Sequence, residues 1–433
     1  MEGRNNGRMA HTEVRRVLAA EGVSNFGSML SRLAIPWLAA LSLQATPAQM
    51  ALLLVADVLA GAVGALLLGS WVDRSAKRTV MLCADGGRAV LLAVLALAAW
   101  KGWLDITALV MAAALSGALS MAFELARSAW MAQQVAQGDL PRRNAQLSVV
   151  GSLSETAAFA VGGWLYQGLG AVWALAVDAA SYLVSAWFLR GVGHAMPAAA
   201  AAAVAPSSTW LQRLQGALDQ AQQGLRAVAE RPRLRALAAI EALGSLAFAL
   251  TGTVYTLYVT RELKLATGEL GMIAALGGLG AVLGAIFAPR LGRTLGAGRT
   301  MALGLIAFAF GIACIPMAQG VGWMVVAWLL AHQVVGDAGH TLHDVHDRTL
   351  RQTAVPVELL ARADAGVRTA GQLALLVGAA LGGWLGGAWG YRPVLWLAVA
   401  CAAGAAWVAA ARLGDWSAAV VAPRGPQGPG PMQ

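Results

Sequence analysis

Acidic, basic and histidine side chains lie inside long apolar stretches of this 433-residue chain, and they are the groups whose chemistry needs explaining. Asp57 stands in Leu54-Val55-Ala56-Asp57-Val58-Leu59-Ala60, with no basic residue within a helical turn. An acid placed so must find water or a partner on another element. A carboxyl group that alternates between acid and anion can carry protons, which is one reading of Asp57. Arg32, inside the preceding apolar stretch, is the cation best placed to answer it. The other reading is a static Asp57–Arg32 ion pair, and Arg32 could instead meet an anionic substrate. Glu155, Glu241, His332 and Asp337 are further ionisable residues within apolar stretches, placed to line a cavity.

A second set is spaced for local pairing. Asp85 and Arg88 are three apart, Glu124 and Arg127 three apart, and Asp364 and Arg368 four apart. Such spacings share a helix face. Four of the six histidines fall at His332, His340, His343 and His346, interleaved with Asp337, Asp344 and Asp347. Converging ligands of these types bind metals, and histidine titrates near neutral pH. Only His332 and Asp337 are deep in an apolar stretch, and a solvated polar helix end explains the remainder equally well. No metal site and no cofactor is assigned.

The elements that hold these residues belong in a bilayer. Hydrophobic residues make up 58% and charged residues 12%, against about a quarter charged in soluble domains; the mean hydropathy is +0.63. A crossing needs about 20 mostly apolar residues, so the chain has room for roughly twelve. The spans are read approximately at 17–43, 47–70, 79–100, 104–130, 145–168, 171–190, 233–258, 268–289, 299–318, 321–345, 359–387 and 391–412. The 51 glycines suit close helix packing in lipid. Lys and Arg concentrate on one side. With the N-terminus inside, only Lys101, Arg261, Lys264 and Arg392 fall in outer loops, which places both termini in the cytoplasm. The same topology accounts for the net charge of +9 without nucleic acid. Cys83, Cys314 and Cys401 are far apart and form no disulfide or metal pattern. Met1 to Arg16 is polar, with no cleavable signal pattern.

An Ala/Pro/Ser run at 195–208 and an amphipathic stretch at 209–231 divide the chain. The two sides echo each other. Gly162-Gly163-Trp164-Leu165 recurs as Gly382-Gly383-Trp384-Leu385, and Gln134, Pro141 and Arg143 are answered by Gln352, Pro356 and Arg362. The expected parts are a cytoplasmic tail (1–16), a six-helix bundle (17–190), a linker with an amphipathic helix (191–232), a second bundle (233–412) and a disordered tail (413–433).

Residues 69 to 88 carry a family resemblance. Gly69, Asp73, Arg74, Lys77 and Arg78 resemble the loop between the second and third helices of the major facilitator superfamily, with Ala76 in place of its second glycine. Asp85 and Arg88, the stretch from Arg127, and Arg351-Gln352 before Pro356 resemble the enterobactin-exporter-like, or transmembrane secretion effector, branch. The glycines of the family's antiporter motif are present as Gly162 and Gly163, but its proline is absent; Ala379 likewise follows Gly378 in the second copy. Pro289-Arg290-Leu291-Gly292-Arg293, the second copy of the charged loop, lacks the acid.

The resemblance implies an all-α integral membrane fold of two six-helix parallel repeats in a bacterial inner membrane, and a transporter rather than an enzyme. It implies export of a small amphiphilic molecule (a drug, siderophore or other metabolite) by proton antiport, from a monomer. Asp57 and Arg32 would couple the proton. Arg32, Glu155, Glu241, His332 and Asp337 would line the cavity. Gly69, Asp73, Arg74, Lys77, Arg78, Asp85, Arg88, Glu124 and Arg127 would form the gate. The alternatives are an importer or facilitator, a lipid flippase, or a receptor that keeps the fold without transporting.

Overall fold

A computed structural model describes residues 2–135, 138–193, 210–320 and 322–416. The 195–208 linker and the tail beyond 416 lie outside them, as do the side chains of Asp73 and Pro141. The described residues form helices and no strands. They are α1 (Glu2–Trp37), α2 (Pro47–Arg74), α3 (Lys77–Lys101), α4 (Ile106–Gln134), α5 (Leu140–Leu189) and α6 (Trp210–Ala229). After these come α7 (Pro232–Leu257), α8 (Thr267–Leu295), α9 (Ala297–Met317), α10 (Trp323–Ala354), α11 (Val357–Trp389) and α12 (Tyr391–Leu413). Eight helices among the described residues are long and apolar enough to cross a membrane. Lipid offers backbone groups no hydrogen-bond partners, so helices that satisfy their own backbone are the natural solution. The 50-residue α5 is too long for one crossing. It reverses at Gly170, whose φ of 81° leaves the helical region.

The segments α1–α5 and α7–α12 follow one plan at an offset of about 220 residues, as expected of a parallel repeat. Helices α1 and α7 each end in a π-helical turn, at Leu38–Ser42 and Tyr258–Glu262. Gln44 and Lys264, with φ of 51° and 52°, then turn the chain into α2 and α8. Gly170 and Gly390 reverse it with φ of 81° and 84°. The first set is held by α1 against α5, α2 against α4, and α3 against both; the second by α7 against α11 and α12, and α10 against α8 and α9. Helix α6 lies on α11, where Gly224 meets Gly366.

Two helix pairs supply most of the contact between the sets, α5 with α8 and α2 with α11, and α2 also meets α7. The two main pairs meet at the end away from the α2–α3 turn. Thr267 Oγ1 donates to the Gly163 carbonyl at 3.3 Å, the Gly268 N–H to Gln167 Oε1 at 2.9 Å, and Arg261 to the Ala40 carbonyl at 2.8 Å. The backbones touch because glycines permit it. A Cβ on Gly271 would lie 2.8 Å from the Cα of Gly163, and one on Gly386 would lie 2.9 Å from Pro47. Trp100, Trp103, Trp323 and Trp389 ring this end, 65–77% exposed, as interfacial tryptophans do.

Glycine also sets the approach of α9 to α10. A Cβ on Gly311 would meet the Gly336 backbone nitrogen at 2.8 Å, whereas one on Gly387 would meet nothing within 4 Å. Gly311→Val should therefore lower the unfolding midpoint in detergent, with overpacking costs of about 1–3 kcal/mol. Gly387→Val should leave the midpoint near that of the parent. Equal midpoints for the two variants would contradict this packing.

Candidate functional site

Three adjoining cavities open among the helices, one between the two sets and two walled by the second set. One of about 420 Å³ is lined by Arg32 of α1, Asp57 of α2, and Asp178 and Tyr182 of α5, with Phe248 and Gly252 of α7. One of about 460 Å³ shares Phe248 and Gly252 and continues along α7, α9 and α10 to His332, Asp337 and His340. A third of about 630 Å³ shares Glu241, Ser245 and Asp344 with the second. It turns polar and reaches Gln352 and Leu360, beside the α10–α11 connection. The joined space thus runs from mid-bundle toward the end that carries the α2–α3 turn. Its volume suits a small organic molecule.

Asp57 and Arg32 line the same cavity, both exposed to it, without forming an ion pair. Ten residues separate Asp57 from the start of α2, or about 15 Å of helix. Asp57 faces α4 at Gly117, where a Cβ would lie 3.5 Å from its Oδ1. The repeat inverts this arrangement. Gly277 of α8 matches Asp57, Asp337 of α10 matches Gly117, and Oδ2 of Asp337 packs against Gly277. Each half therefore places one carboxylate at the same helix crossing, from opposite partners. Glu155 approaches from α5, close enough for its charge to act on Asp337. Nδ1 of His332 pairs with the Gly311 carbonyl at 3.0 Å, and its ring lies 6.0 Å from that of Tyr255.

The remaining charges are mostly spent on one another. Asp85 is fully buried; it takes Arg88 at 2.5 Å and the Ser185 hydroxyl at 2.7 Å. The Arg88 guanidinium lies 4.2 Å from the Tyr182 ring centre and 4.9 Å from that of Phe123. Arg127 pairs with Glu21 of α1 and, at 3.8 Å, with Glu124. The second half has the counterpart: Arg351 of α10 holds Glu241 of α7 at 2.6 Å and Asp347 at 2.7 Å. Glu21 and Glu241 are repeat-equivalent. Glu241 stands out in the sequence but its partner does not, since an arginine on a distant helix leaves no local spacing. Asp364, spaced for Arg368, instead lies 3.9 Å from Arg351. Among the described residues no group of three or more His, Cys, Asp or Glu side chains could hold a metal ion.

At the α2–α3 turn, Lys77 is buried and donates to the Val72 carbonyl at 2.6 Å, closing the end of α2. Arg78 donates to the Arg190 carbonyl at 2.5 Å and Arg16 to that of Gly191, so both fasten the end of α5. Gly69 has open space where a Cβ would stand, and Arg74 is exposed.

Comparison with known proteins bears on this arrangement. A family model described as Major Facilitator Superfamily matches residues 17–331. The nucleoside transporter NupG aligns with a TM-score of 0.73 at 14% identity, over 94% of this chain and 99% of its own. A bacterial homologue of the iron transporter ferroportin, in an inward-facing state, aligns with a TM-score of 0.70 at 17% identity, over 93% and 98%. The POT family transporter PepTSo gives 0.68 at 14%, over 93% and 97%. At such identities the likeness concerns the fold alone. Comparison with curated proteins gave no match.

The buried Asp85–Arg88 pair supplies a test of these contacts. Arg88→Met strands a fully buried carboxylate, and breaking such a pair costs about 3–5 kcal/mol. Its unfolding midpoint in detergent should fall well below that of the parent. Adding Asp85→Leu should recover part of the loss, because the stranded charge is gone. A double variant no better than the single one would contradict the pairing.

Proposed function

The chain belongs to the major facilitator superfamily, and from that premise we propose that it exports a small amphiphilic molecule across a bacterial inner membrane by proton antiport. It is a multi-pass membrane transporter, not an enzyme. In our reading twelve spans form two six-helix repeats of one polypeptide, with both termini cytoplasmic. The halves rock about a central cavity, so that each end opens in turn.

One observation carries the reading: the cavity between the halves exposes Asp57 and Arg32 without pairing them. A fixed ion pair would have served only to hold α1 against α2. An unpaired acid and base on one cavity wall can respond to each other as the acid gains or loses a proton. Protonation of Asp57 removes the charge facing Arg32. That changes the electrostatic cost of closing the cavity, which is the coupling an antiporter needs.

The α2–α3 turn supplies the gate. In this inward-open arrangement Lys77 and Arg78 bind backbone of their own half, and the halves meet at the opposite end. On closure of the cytoplasmic end, Arg74 and Asp73 would meet the second half near the start of α11, where a helix N-terminus favours an acid. Asp85 and Arg88 brace α3 behind the turn. Glu124 and Arg127 sit on the α4 side of the opening.

Counterflow in proteoliposomes tests transport directly: trapped substrate should accelerate uptake of labelled substrate. Asp57→Asn should abolish uphill transport driven by a proton gradient while sparing exchange. Unchanged proton-driven transport in that variant would overturn the coupling role.

A further inference from the structure

The two cavity walls differ in chemistry although they share a plan. The α1–α5 wall carries Arg32 beside Asp57. In the cavity bounded by α7, α9 and α10, Glu241, Asp337 and Asp344 are the charged residues, with no Lys or Arg among the lining residues. Glu241 is already held by Arg351, and Asp344 lies 3.8 Å from His340. Asp337 makes no hydrogen bond or ion pair among the described residues; its charged surroundings are His340 on its own helix and Glu155 from α5. Its carboxylate is fixed against Gly277, where no side chain intrudes.

Around that carboxylate the wall is aromatic. Phe248 and Tyr255 come from α7 and Phe308 from α9. The Phe308 ring lies tilted against that of His340, with centres 5.4 Å apart, and the Tyr255 ring lies by His332. His343, which lines the same cavity, is 8% exposed, and its Nδ1 has no hydrogen-bond partner.

An unpaired carboxylate in a low-dielectric aromatic cavity attracts a cation that can shed its water. Small hydrated metal ions do not fit this description, since the described side chains provide no ligand cluster. Large organic cations, weakly hydrated and apolar in body, do. We propose that the substrate is a lipophilic organic cation whose charge is held at Asp337, with its apolar body against Phe248, Tyr255 and Phe308. This rests on the reading of the chain as a transporter and specifies what it carries. The repeat then divides the labour: Asp57 serves the proton in one half, and Asp337, at the matching crossing, serves the substrate in the other.

Two ions of nearly equal size and shape, tetraphenylphosphonium and tetraphenylborate, separate charge from hydrophobicity. Binding of each to the purified full chain in detergent, followed by calorimetry, should show saturable binding of the cation. The anion should bind at least about tenfold more weakly. Asp337→Asn should weaken cation binding by about tenfold or more, and Asp337→Glu should restore part of it. Phe308→Leu, which keeps the apolar volume, should weaken the cation more than the anion, and it stands in should the Asp337 variants fail to fold. Equal or tighter binding of tetraphenylborate overturns the charge assignment. Binding of neither ion overturns the substrate class. Undiminished cation binding by Asp337→Asn overturns the role of Asp337. Saturable cation binding without counterflow in proteoliposomes keeps the site but overturns the transport reading.

Discussion

Backbone touches backbone where α5 crosses α8 and where α2 approaches α11, and the rest of the molecule depends on those contacts. In lipid there is no hydrophobic force to press one helix bundle on another. Association rests on close packing, which large side chains would prevent. Gly163, Gly268 and Gly271 form one contact, while Gly383 and Gly386 meet Ala48 and Pro47 at the other. The hydrogen bonds between the halves are few and sit at the same end. Such an interface is tight but narrow. It holds one end shut while leaving the other free to part, and it can be remade without extracting buried side chains from a core.

Charge is distributed according to the same division. Inside each half, ions are paired across helices, Arg127 with Glu21 and Arg351 with Glu241, and along one helix, Arg88 with Asp85 and Arg351 with Asp347. Burying an ion is tolerable when its partner is buried with it, so these pairs help each half move as a unit. Asp57 and Arg32 line the cavity between the halves, and Asp337 lines the adjoining cavity of the second half. Unpaired charge is costly in an apolar setting, and it is found here where water, protons and solute have access. The repeat sharpens the contrast. An aspartate and a glycine meet at the α2–α4 crossing and again at the α8–α10 crossing with their places exchanged. Two halves of one plan thereby acquire different chemistry.

Much of this was legible in the residues. The helical membrane class followed from composition, and the Gly-Gly-Trp-Leu duplication at 162 and 382 pointed to a repeat whose hinges, at Gly170 and Gly390, keep the same spacing. Asp57 stood out because nothing within a turn could neutralise it. Three things were beyond local reading. The partners of Glu21 and Glu241 lie on helices more than a hundred residues away. Asp364 lies beside Arg351 of α10 instead of pairing with the helically spaced Arg368, a contact between helices that spacing along α11 does not reveal. The exchange of Asp57–Gly117 for Gly277–Asp337 appears only once the crossings are known, since a glycine in a small-residue-rich span signals nothing by itself.

The central claim is that the two ends of the molecule open in turn about a cavity whose charges respond to a proton and a solute. Paired distance measurements on spin labels test it most directly. One pair would replace Arg74 and Arg290, at the end of the α2–α3 turn, and the other Trp103 and Trp323, at the glycine-closed end; all four residues are exposed. Changing pH or adding a transported solute should shorten the first distance as it lengthens the second. Distances that change together, or that change at one end only, would contradict the account.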